Sequence, residues 1–64
     1  MKVNGENVQL ETSVSLKEYL VSHDYKLNHI AVELNGEIIK KSDYESTILN
    51  DSSNLEIVQF MGGG

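Results

Sequence analysis

Two Asn-Gly pairs, Asn4-Gly5 and Asn35-Gly36, each sit between short runs of alternating polar and apolar residues. No other feature limits the fold as much. Asn-Gly supplies the positive φ angles of a two-residue hairpin turn. The chain has no cysteine and no proline, so these two turns carry much of the information that sets strand register. Around the first turn, Met1-Lys2-Val3 faces Asn7-Val8-Gln9-Leu10-Glu11. The alternation turns Met1, Val3, Val8 and Leu10 to one face and Asn7, Gln9 and Glu11 to water. Around the second, Ile30 to Leu34 runs with Ile30, Val32 and Leu34 inward, and Glu37 to Lys40 returns.

Between the hairpins lies a helix start. Ser15 stands three residues before Glu18, the spacing of a capping box, and Val14 with Tyr19 has the spacing of a hydrophobic staple. Leu16, Tyr19, Leu20 and His23 recur at helical spacing, which predicts a helix from Leu16 to His23. Ser42 to Glu45 reads as a short helical turn behind a Ser or Asp cap. Ile48-Leu49 reads as a brief strand, Asn50 to Asn54 as a polar loop, and Leu55 to Phe60 as the last strand. One helix on one face of a mixed sheet is the economical way to bury these stripes. In the last strand, inward Leu55 and Ile57 leave Val58 and Phe60 on the opposite face, beside the tail, the alternative being that Phe60 folds over the sheet edge as a lid on the core.

Size and charge narrow the function classes. Sixty-four residues make one domain, and a domain of that size buries only about 60% of its unfolded surface. Ten acidic against five basic residues give a net charge of -5. Phosphate contacts need clustered Lys and Arg, so nucleic acid is not an expected partner. An acidic protein suits a basic partner surface. No apolar run approaches the roughly 18 residues that span a bilayer. The opening Met1-Lys2-Val3-Asn4-Gly5 goes straight into strand and turn, and the expectation is a cytoplasmic protein without a signal peptide.

Catalytic constellations are missing. No Cys nucleophile and no glycine-rich phosphate loop occur, and the serines fall in cap, turn or surface contexts. His23 and His29 read as surface or helix-end residues, since a structural metal site wants about four ligands. The tail Gly62-Gly63-Gly64 is different. Glycine loses the most backbone entropy on ordering, so these residues add nothing to the fold. Composition alone fits a frayed terminus as well as a functional one. Its functional use would be narrowness: backbone without Cβ atoms can enter a slot and present the terminal carboxylate. Met61 to Gly64 reaches roughly 13 Å when extended. The division expected is a folded domain over 1–60 and a flexible tail over 61–64.

The ending Leu55-Glu56-Ile57-Val58-Gln59-Phe60-Met61-Gly62-Gly63-Gly64 resembles that of the thiamin-biosynthesis sulfur carriers, the ThiS family. So do Ala31-Val32-Glu33-Leu34-Asn35-Gly36-Glu37-Ile38-Ile39 and the opening Met1 to Glu6. Many relatives have Pro-Arg at Lys40-Lys41, Gly-Asp at Ser53-Asn54 and Val at Met61; none of these departures touches the terminal glycines. The resemblance implies a ubiquitin-like β-grasp fold, an α+β mixed sheet of about five strands with one main helix. It implies a carrier, not an enzyme, which binds no cofactor itself. A ThiF-type adenylating enzyme would use ATP to activate Gly64, a persulfide donor would convert it to a thiocarboxylate, and a ThiG-type thiazole synthase would receive the sulfur. Gly62 and Gly63 would thread the tail, and Val58, Phe60 and Met61 would dock. Two other readings stand beside it: a molybdopterin-synthase small subunit or other-pathway sulfur carrier, and a plain β-grasp interaction module.

Overall fold

Each Asn-Gly pair does what its chemistry predicts. Asn4 and Asn35 both take φ of 52°, and Gly5 and Gly36 follow at 84° and 88°. Two consecutive positive φ angles reverse the chain with the twist that antiparallel strands need. The first turn joins β1 (Lys2–Val3) to β2 (Glu6–Asn7), and Lys2 pairs with Asn7. A second short pairing follows between β3 (Val14–Ser15) and a segment far along the chain, described below. After α1 (Leu16–Ser22), a 3-10 turn at Leu27–His29 leads into β4 (Ile30–Leu34). The second Asn-Gly turn then gives β5 (Glu37–Ile39). A 3-10 turn at Lys41–Asp43 precedes β6 (Ile48–Leu49), and β7 (Asn54–Gln59) closes the fold. This computed structural model describes residues 1–60.

The main sheet has the order β2-β1-β7-β4-β5. β7 lies at its centre, parallel to β1 and antiparallel to β4. Ser15 caps α1, its Oγ accepting from the Glu18 N–H at 3.0 Å. The helix lays Leu16, Tyr19 and Leu20 on the sheet, where they meet Val3, Ile30, Val32, Leu55 and Ile57. Tyr44 and Leu49 complete the buried core. The inward residues named from alternation are those found inside, with Met1, Val8, Leu10 and Leu34 half-buried at the margin.

Several local expectations are corrected. The run Asn7 to Glu11 is strand only at Asn7, because β1 offers just two residues to pair with. Val8 still donates its N–H to the Met1 carbonyl at 2.8 Å before the chain leaves the sheet. The turn near Ser42 begins at Lys41 and has no side-chain cap. Val14-Ser15 does more than precede the helix: it pairs with Ile48-Leu49 as a separate two-stranded sheet. Ser53 is buried; its Oγ accepts from the Asn50 N–H at 2.9 Å. His23 is exposed at the helix C-cap, its ring stacked on Tyr19 with centroids 4.1 Å apart.

Candidate functional site

β7 is the element that leads to the tail, and its two faces differ sharply. Leu55 and Ile57 point into the core at 0% and 6% exposure, while Val58 is 58% exposed. Phe60, just past the strand, is 55% exposed and is not packed on the core. Its N–H donates to the His29 carbonyl at 2.8 Å, which adds one rung to the β4–β7 ladder. Val58 and Phe60 therefore stand where alternation places them. Met61, Gly62, Gly63 and Gly64 lie outside the described residues, and so does the expectation of a flexible tail.

Register groups further residues with Val58. Ala31 lies directly opposite it on β4, and one step along the same face Glu33 faces both Glu56 on β7 and Ile38 on β5. Ile38 is 78% exposed. The sequence carries a signal for it: adjacent Ile38 and Ile39 in one strand cannot both point inward. Glu33 and Glu56 are like charges set directly opposite, an arrangement that costs stability. No ion pair involves either one among the described residues. The face is thus apolar at Ala31, Ile38 and Val58 and negative at its middle.

The side chains of both turn asparagines hold β7. Asn4 Oδ1 accepts from the Ile57 N–H at 2.7 Å, and Asn4 Nδ2 donates to the Ile57 carbonyl at 3.2 Å. At the other end, Asn35 Oδ1 accepts from the Asn54 N–H at 2.9 Å, and the Asn35 N–H donates to the Asn54 carbonyl at 2.8 Å. The strand that leads to the tail is fixed at both ends.

Nothing else in the described part has the makings of a reaction centre. Among the described residues no group of three His, Asp or Glu side chains could hold a metal. His23 Nδ1 donates to the Tyr19 carbonyl at 2.9 Å, a helix-end contact. An open groove of about 330 Å³ lies between the Val8–Val14 stretch and α1, lined by Val8, Leu10, Val14, Glu18 and Tyr19 among others, with no residue from β7. No described helix is long and apolar enough to cross a membrane.

A mixed sheet grasping one helix, with β7 as its central strand, defines a ubiquitin-like β-grasp protein. Comparison with known proteins makes the assignment narrower. The ThiS family model matches residues 1–64, and the chain belongs to the ThiS family. It is 34% identical to the sulfur carrier protein ThiS of Bacillus subtilis, over 100% of this chain and 98% of that one. It is 39% identical to part of a thiazole synthase of Paramagnetospirillum magneticum, over 97% of this chain but 19% of that longer one. The crystal structure of a thiamine biosynthesis protein (ThiS) from Geobacter metallireducens superposes with a TM-score of 0.82 at 30% identity, over 98% of this chain and 96% of that one.

Proposed function

We propose that this protein is the sulfur carrier of a thiamin-biosynthesis pathway, with the Gly64 carboxylate as the point of attachment. The observation that carries the reading is similarity to the Bacillus subtilis carrier along the whole of both chains. The protein is a co-substrate; the catalysis belongs to its partners. A carboxylate is a poor electrophile, so it must be activated. A ThiF-type enzyme joins it to AMP from ATP, and pyrophosphate leaves. A persulfide sulfur then attacks the acyl carbon and AMP departs. Cleavage of the S–S bond by a second thiol leaves the thiocarboxylate on Gly64 and a disulfide on the donor. A ThiG-type thiazole synthase takes the sulfur. The thiazole synthase of Paramagnetospirillum magneticum, which includes a region similar to this chain, supports that last pairing.

The described residues supply docking and aim. Val58 and Phe60, with Met61 next to them, offer the apolar contact beside the tail. Glu33 and Glu56 favour a basic surface on the partner. Gly62 and Gly63 pass through a slot that a Cβ would crowd. The test is a chain lengthened by one alanine after Gly64. One residue displaces the carboxylate by about 3.5 Å, and misplacement on that scale is costly to reaction geometry. The lengthened chain loses ATP–pyrophosphate exchange with the adenylating enzyme and acquires no sulfur by intact mass, while its melting curve is unchanged. Exchange at the native rate would show that the terminus is not the reacting group.

A further inference from the structure

The ladder between β1 and β7 ends in a way that leaves a backbone position open beside the root of the tail. β1 is two residues long, and the chain turns away at Asn4-Gly5. The rungs can be followed one by one. The Lys2 N–H donates to the Ser53 carbonyl at 2.9 Å, and the Asn4 N–H donates to the Leu55 carbonyl at 2.8 Å. At Ile57 the Asn4 side-chain amide takes over, accepting from its N–H and donating to its carbonyl. A primary amide has the same donor and acceptor as a peptide, so it serves as one more residue of strand. The next rung belongs to Gln59. Alternate residues of a strand send their backbone groups to the same side, so the Gln59 N–H and carbonyl point where those of Leu55 and Ile57 point. On the other side, Val58 serves β4, and the Phe60 N–H donates to the carbonyl of His29 just before it. Among the described residues nothing pairs with Gln59 on the β1 side.

We propose that this notch beside Gln59, past the Asn4-Gly5 turn, is a backbone docking slot that an extended segment of the adenylating enzyme fills as an added strand. The proposal rests on the sulfur-carrier reading. An open rung in a central strand is a template for another chain. Position 59 has the inward register of Leu55 and Ile57 but carries an exposed Gln, so the core has ended and the slot can be approached. It is continuous with the exposed pair Val58 and Phe60 on either side of it. A second copy of this chain is a poor occupant, because each copy carries a net charge of -5. Pairing here would grip the backbone just before the glycines and so fix the direction in which the tail leaves.

The test removes the N–H and keeps the side chain. The 64-residue chain is made by chemical synthesis with N-methyl Gln59, and in a second form with an ester in place of the Val58–Gln59 amide. Because that N–H has no partner among the described residues, each form keeps native circular dichroism and a cooperative melt. Affinity for the purified adenylating enzyme from the same source falls roughly five- to tenfold in both, the worth of one net hydrogen bond. In the native complex, exchange of the Gln59 amide with deuterium slows at least about tenfold. Undiminished affinity of a folded ester form, or unslowed Gln59 exchange in the complex, overturns the slot while leaving the carrier reading intact. Failure of the native chain to support pyrophosphate exchange overturns both. Sedimentation showing that the modifications dissolve a native dimer would assign the slot to a second copy, against the proposal.

Discussion

At the scale of single residues, Asn4 and Asn35 each carry two jobs. Each takes the left-handed conformation that opens a hairpin turn, and each spends its side chain on β7. The first job is legible in sequence because Asn-Gly is a local signal. The second is not, because Asn4 and Ile57 are 53 positions apart. A glycine substitution separates the two. Asn4→Gly keeps the positive φ freely and removes both side-chain hydrogen bonds. A net hydrogen bond is worth about 1 kcal/mol, and a partner left unpaired adds to the loss. The expected destabilisation is therefore about 1–3 kcal/mol by urea titration. Amide exchange at Ile57 should accelerate while that at Leu49, in the other sheet, follows global stability alone. If Asn4→Gly is as stable as the native protein, the side-chain clamp contributes nothing.

At the scale of elements, β7 shows how far alternation can be trusted. Leu55, Ile57 and Val58 all sit where a period of two puts them, since β7 is long and has partners on both sides. The run from Asn7 to Glu11 alternates equally well but pairs at one end only, because a strand is as long as its partner allows. The β3–β6 pairing has two residues per strand, too few for any period to show. The difference between the faces of β7 is measurable. Leu55→Ala empties a fully buried site and should cost about 2–5 kcal/mol. Val58→Asp alters an exposed position and should cost about 1 kcal/mol or less. On the docking role proposed for Val58 its effect falls on binding, because it removes apolar contact and adds a third acid beside Glu33 and Glu56. Binding to the adenylating enzyme should weaken at least about tenfold, as at a central apolar contact. A Val58→Asp protein that binds normally would move the docking surface elsewhere; one that unfolds would reverse the faces.

At the scale of the whole molecule, the candidate site was legible in two unequal parts. The exposed pair Val58 and Phe60 follows from the pattern of one strand. The role proposed for Gly64 rests only on resemblance, because three glycines carry no side chain that could signal a reaction. The acidic middle of the outer face needed register between β4 and β7, which sets Glu33 opposite Glu56, 23 positions away, and leaves no local trace.

The core itself makes a last prediction. With neither disulfides nor proline, the fold depends on a small set of buried side chains, and two of them, Tyr19 and Tyr44, are phenols. Burial disfavours the phenolate and raises both above the ordinary value of 10.0; at Tyr19 the neighbouring Tyr25 adds to the effect. A group whose folded pKa is raised leaves stability undiminished below its unfolded value. Above it, the unfolded chain sheds a proton that the native state still holds, so unfolding gains free energy as pH rises. The loss ends only once the folded pKa is passed. Stability should therefore hold up to about pH 10 and then fall, read as the urea midpoint at about pH 9 and about pH 11. Tyr44→Phe removes one titrating group and should flatten the alkaline slope, and Tyr19→Phe should flatten it as well. A midpoint that does not move between those two pH values, or a slope that neither substitution changes, would mean that both phenols ionise in the folded protein as readily as in water.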